Sequence, residues 1–175
     1  MNIFIGSSSK NEINDIYFEE SKEILKKITK NNNLVFGVSE NGIMGQCYKT
    51  FKENKRKIIG ITNETYAYEF NNVPCDEEYI VYSTLDRTNK IINNSDIFLF
   101  LPGGIGTYAE IFHIYEELRT YKINKKIIIY NYNNFYKELI NILNKLVKEK
   151  FLDKELLEYI KIVNKQEELL TLIKN

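Results

Sequence analysis

Short runs that are apolar throughout punctuate the chain, and longer amphipathic stretches separate them. The clear runs are NIFIG at 2–6, LVFG at 34–37, KIIGIT at 57–62, DIFLFL at 96–101 and KIIIYN at 126–131. Weaker ones lie at 79–83 and 160–163. A strand that is apolar on both faces is buried on both faces, the mark of a parallel sheet covered above and below by helices. The intervening stretches read as helices over about 12–30, from near Ile43, over 84–94, from the turn after Leu101 to about Thr120, and over 134–150. The tail reads as a short helix at 153–159 and a last one at 165–174. Residues 63–78 are polar, acidic and irregular, and read as a loop. No composition shift marks a linker and no internal repeat occurs, so a single α/β domain over 1–175 is expected, a doubly wound parallel sheet with helices on both faces.

In such sheets the ligand sits beyond the carboxyl ends of the strands, where the winding direction reverses. Glycine marks those ends here. The chain has eight Gly and two Pro, and seven of the glycines fall in three places: Gly6; Gly37, Gly42 and Gly45; and Gly103, Gly104 and Gly106. All three places follow a strand, so a sequence sparing with glycine spends it on one edge of the sheet.

LPGGIGTYAE at 101–110 carries the strongest chemical signal. Pro102 ends the ladder, and Gly103 and Gly104 let the backbone turn and approach a ligand. Gly106 and Thr107 are expected to open a helix whose free N–H groups and positive dipole end attract an anion. The Thr107 hydroxyl either caps that helix or binds a phosphate oxygen. Glu110 is expected in the first turn, as a carboxylate beside the ligand or as the far half of a capping box with Thr107. Arg87, one of three Arg against 21 Lys, reads equally as a phosphate or carboxylate partner and as a surface ion pair. Ser7 and Ser8 after the first strand suit a phosphate, a ribose or a helix cap.

Several chemistries are disfavoured. FGVSENGIMG at 36–45 has neither the dinucleotide G-x-G-x-x-G spacing nor a convincing acidic partner, and no P-loop string occurs. His113 is the only histidine, which argues against a Ser-His-Asp triad or a multi-histidine metal site. Lys plus Arg and Asp plus Glu are both 24, so no global positive field exists to gather a nucleic-acid polymer or a membrane surface. Two cysteines, Cys47 and Cys75, make no disulfide framework, and neither a membrane-length apolar run nor a signal-peptide layout occurs. A cytoplasmic protein is expected.

PGGIGTYAE with Arg87 upstream resembles the Lonely-Guy family, the cytokinin-activating phosphoribohydrolases long labelled lysine decarboxylases, whose signature is P-G-G-x-G-T-x-x-E. The resemblance runs from Gly6-Ser7-Ser8 through NGIMG to about Phe151. It implies a Rossmann-like fold, usually a homodimer, and hydrolysis of the N-glycosidic bond of a nucleoside 5′-monophosphate to free base and ribose 5-phosphate. By the same resemblance Arg87 and Glu110 are the catalytic pair. Gly103, Gly104, Gly106 and Thr107 hold the phosphate, and Gly6, Ser8, Gly42, Met44 and Gly45 lie on the other nucleotide-contacting turns. No metal or cofactor is required by that scheme. The departures fall at Val38 and Ser39 in place of glycines, at Thr88 and Ile91 after the Arg, and at Ala109, His113 and Glu117. They leave the base open and favour, as the alternative, a non-catalytic nucleotide or cofactor carrier or sensor of the same fold.

Overall fold

The computed structural model describes residues 1–174. Among them seven parallel strands form one sheet in the order β4-β3-β2-β1-β5-β6-β7. They are β1 (Asn2–Gly6), β2 (Asn33–Phe36), β3 (Ile58–Asn63), β4 (Glu77–Val81), β5 (Ile97–Phe100), β6 (Ile127–Tyr130) and β7 (Ile160–Val163). The helices are α1 (Asp15–Ile28), α2 (Gly42–Glu53), α3 (Thr84–Asn94), α4 (Ile105–Thr120), α5 (Lys137–Lys148) and α6 (Gln166–Lys174). Strand side chains alternate between two cores. Ile3 and Ile5 of β1 pack with α1, α2 and α6, whereas Phe4 packs with α3, α4 and α5. Each such fully buried Ile or Phe contributes about 1.5–3 kcal/mol, which is why every central strand is apolar on both faces.

The chain enters at the centre of the sheet, winds outward through β2 and β3 to β4, and then crosses back to β5 on the other side of β1. β1 and β5 pair in parallel with Gly6 opposite Phe100, so the reversal of winding lies between their carboxyl ends. Their loops are stitched together there: Leu101 N–H donates to Gly6 O at 3.0 Å, and Ser8 N–H donates to Pro102 O at 3.1 Å.

The expected doubly wound sheet is therefore present, with three local differences. Residues Glu64–Asn71 form a 3-10 helix, and β4 starts at Glu77 inside the expected loop. β4 is an edge strand with one neighbour, so it is only half covered and its sequence lacks the continuous apolar run of a central strand. α4 starts at Ile105 with Gly104 as its N-cap, not at Gly106-Thr107. α1 is capped by Asn14, whose Oδ1 accepts from Ile16 N–H at 3.0 Å, so Ser7 and Ser8 do not cap it.

Candidate active site

The carboxyl ends of β5, β1, β2 and β3 open into one cleft of about 500 Å³, within the range of small-molecule sites. Its centre is an ion pair. Arg87, in the first turn of α3, sends Nη1 to Glu110 Oε1 at 2.6 Å and Nε to Ile61 O at 3.1 Å. Both side chains are largely buried, at 17% and 12% exposed. Taking two charges out of water is costly unless the geometry is good and the remaining polar atoms are satisfied, so a buried pair in a cleft is a functional candidate. Two absent side chains make room for it. A Cβ at Gly37 would collide with Arg87 Nη2, and a Cβ at Gly6 would lie 3.2 Å from Glu110 Oε2 and against the Phe100 ring.

The N-terminus of α4 faces the same cleft through Gly104, Ile105 and Gly106. No side chain caps it; Thr107 N–H donates to Gly104 O at 2.9 Å, which leaves the N–H groups of Ile105 and Gly106 for an anion. Thr107 is 4% exposed and its hydroxyl donates to Ser7 O at 3.4 Å, tying α4 to the loop after β1. Because Gly104 occupies the cap, Glu110 belongs to the second turn, and the capping box with Thr107 does not form. The carboxylate answers Arg87 instead.

The remaining expected residues divide into those on the cleft wall and those behind it. Ser8 and Met44 line the cleft. The Ser8 hydroxyl accepts from Lys10 N–H at 3.0 Å, and its carbonyl accepts from Met44 N–H at 3.0 Å. Gly42, Gly45 and Gly103 lie behind the wall and act through the backbone. Gly42 has φ of +64° and so tight an approach to Ser8 O that a side chain has no room, a position only glycine fills without strain. Of the departures from the family pattern, Val38 and Ser39 line the cleft. Thr88 and Ile91 are buried on the inner side of α3, the Thr88 hydroxyl donating to Thr84 O. Ala109 and His113 face a separate groove between α4 and the end of α5. The altered positions at 88, 91, 109 and 113 are therefore not walls of this cleft.

Sequence reasoning missed the far wall. Asn63, Tyr66 and Glu69 line the cleft from the segment read as an irregular loop, and Lys10 and Thr84 join them. The available signal was positional: this segment follows the carboxyl end of β3, as the glycine turns follow theirs. Cys47 sits behind Ser7, where burial pushes its thiol up to about 12, so it is no nucleophile at neutral pH. Among the described residues no group of three or more His, Cys, Asp or Glu is placed to hold a metal ion.

The fold and the position of the cleft define a Rossmann-like α/β protein with its ligand site at the switch point of the sheet. Residues 44–173 match the family model described as possible lysine decarboxylase, and the chain belongs to that family, the Lonely-Guy family. It is 28% identical over 140 residues to a probable cytokinin riboside 5′-monophosphate phosphoribohydrolase of Oryza sativa subsp. japonica, covering 79% of this chain and 61% of that protein. It is 27% identical over 153 residues to a cytokinin riboside 5′-monophosphate phosphoribohydrolase of Arabidopsis thaliana, covering 86% and 70%. The chain thus spans about two thirds of the length of these relatives. In fold it is similar to the molybdenum cofactor carrier protein of Chlamydomonas reinhardtii, with a TM-score of 0.68 and 16% identity over 99% of this chain and 95% of that one.

Proposed function

We propose that the chain hydrolyses the N-glycosidic bond of a nucleoside 5′-monophosphate, releasing the free base and ribose 5-phosphate. The observation that carries this reading is the Arg87–Glu110 pair beside the uncapped α4 N-terminus. The phosphate lies on the free N–H groups of Ile105 and Gly106 at the start of α4, with Gly103, Gly104 and Thr107 fixing that turn and Gly6, Ser8, Gly42, Met44 and Gly45 shaping the opposite turns. The ribose then lies over Glu110. As the C1′–N bond breaks, its electron pair leaves with the base and positive charge gathers on the sugar. The Glu110 carboxylate stabilises that charge and orients a water on C1′. The water oxygen bonds to C1′ and its proton ends on the departing base. Arg87 holds Glu110 in place and keeps its charge compensated before substrate arrives. The activities of these relatives support the same reaction class.

The test is incubation with a panel of nucleoside monophosphates and detection of base and ribose 5-phosphate. Glu110→Gln is expected to lower kcat by about 10²–10³-fold with nucleotide binding retained, as calorimetry would show. Tight binding with no turnover across the panel replaces this reading with the carrier or sensor one. We further propose a cytoplasmic homodimer. No helix among the described residues is long and apolar enough to cross a membrane. Phe112 and Phe151 stand exposed beside the groove between α4 and the end of α5, apolar surface of the kind a second copy covers.

A further inference from the structure

We propose that Asn41–Gly42 is a deamidation site and that the Asn11 side chain holds it unreactive in the folded chain. Asn41 is the one asparagine of the sequence that is followed by glycine. In such a pair the Gly42 backbone nitrogen can lose its proton and attack Cγ of Asn41, because glycine has no side chain to obstruct the approach. A bond forms between that nitrogen and Cγ. The Cγ–Nδ2 bond breaks, and Nδ2 takes up the released proton and leaves as ammonia. Water then opens the five-membered succinimide ring at either of its carbonyls. One product has aspartate at position 41. In the other, isoaspartate, the main chain runs through the former side chain.

Asn11 engages both reacting groups. Its Oδ1 accepts from Gly42 N–H at 2.8 Å, and its Nδ2 donates to Asn41 Oδ1 at 2.9 Å. The nucleophile is thus committed as a donor, and the carboxamide it would attack is tied to a loop 30 positions away. Asn41 stands at the N-cap of α2, where an asparagine side chain ordinarily accepts from a first-turn N–H. It caps nothing here and turns its oxygen to Asn11 instead. The backbone is also set against ring closure. A closed ring needs Cγ and the Gly42 nitrogen near one plane with the atoms between them, whereas Asn41 is extended, with φ of −106° and ψ of 162°. Rotation is resisted from beyond the turn, where Gly45 N–H donates to Asn41 O at 2.8 Å and Met44 N–H to Ser8 O at 3.0 Å. The contact between the two side-chain amides is solvent-exposed, so water for hydrolysis is at hand.

The two products differ in what they do to the fold. Aspartate at 41 places a negative charge at a helix N-terminus, where it is favourable. Isoaspartate adds a backbone atom just before Gly42, whose packing on Ser8 O leaves no room for displacement toward the cleft wall.

The test is to age the full chain at mildly alkaline pH, folded and in urea. The peptide containing residue 41 is then resolved by chromatography and mass spectrometry into its Asn, Asp and isoaspartate forms. Conversion is expected to be at least about tenfold slower in the folded chain than in urea, because two hydrogen bonds must first be given up. In Asn11→Ala both bonds are lost, and the folded rate is expected to rise at least about tenfold, with thermal unfolding confirming that the variant folds. Asn11→Asp keeps an acceptor for Gly42 N–H and is expected to stay within about threefold of the parent. The isoaspartate form should melt below the parent, whereas Asn41→Asp should melt with it. A folded parent that converts as fast as the chain in urea overturns the proposal, as does an Asn11→Ala chain that converts at the parental rate. Equal acceleration in Asn11→Asp and Asn11→Ala overturns the part given to the Gly42 N–H bond, and with it the protection by Asn11.

Discussion

Val38 has a φ of 63°, in the left-handed region that β-branched residues avoid, at a position where the family pattern places glycine. It also lines the cleft and is 3% exposed, with its Cγ2 close to Gly60 and its side chain in the core shared with α1 and α2. The conformation costs a β-branched L-residue about 1–2 kcal/mol, and burial of the side chain offsets it. Val38→Gly should therefore lose packing but shed strain. Val35→Gly, in the extended β2 and 0% exposed, loses packing with no relief. Urea unfolding is expected to show Val38→Gly costing about 1–2 kcal/mol less than Val35→Gly, and equal costs would contradict the strain. The exchange of glycine for valine was visible as a departure from the pattern. Its backbone cost was not, because φ at a turn depends on the loops it must join.

The unit formed by β5, its glycine turn and α4 was the most legible element, since a buried apolar run followed by Pro-Gly-Gly leaves few alternatives. What holds that unit in register was not legible. Tyr136, just before α5, is fully buried and donates its hydroxyl to Leu101 O at 2.6 Å, bracing the residue that precedes the turn. Burial pushes its phenol well above the ordinary value of 10.0. The folded chain keeps the phenol neutral while the unfolded chain ionises it near that value. Its contribution to stability is thus constant at lower pH and is lost as pH rises above about 10. Tyr136→Phe is expected to cost about 1 kcal/mol at pH 7 and to flatten the fall in unfolding free energy between pH 10 and 11. Parallel pH curves for variant and parent would reject this account. The 3-10 helix Glu64–Asn71 was the least legible element: it has no apolar period, and its placement follows from β3 and β4 on either side of it.

For the molecule as a whole, a net charge of zero means that an anionic ligand is met by local groups, the α4 N–H groups and the cleft cations Arg87 and Lys10, and not by a surface field. Near neutrality also leaves little like-charge repulsion between copies. Light scattering is expected to give a mass about twice the 20.7 kDa of the chain, as the family resemblance implies. A monomeric mass at micromolar concentration would overturn the homodimer. Phe151→Asp, at a side chain 83% exposed, should shift the mass toward the monomer if the groove between α4 and α5 is where the copies meet.

Strands, helices and the glycine turns were legible in the sequence because apolar period and backbone permissiveness are local properties. Arg87 and Glu110 were legible too, but only as residues at a recognised spacing, with an ion pair and a capping box both open to them. The tertiary structure joined them 23 positions apart across α3 and α4, and it set Thr107 against Ser7, 100 positions away. It also sorted the departures, leaving Val38 and Ser39 on the cleft and burying Thr88, and it brought Asn63, Tyr66 and Glu69 into the wall. The physical reason is that such contacts depend on the order of the strands and the packing of the two helical layers. No window of neighbouring residues encodes either one, whereas each strand and each turn carries its own cause in the residues that form it.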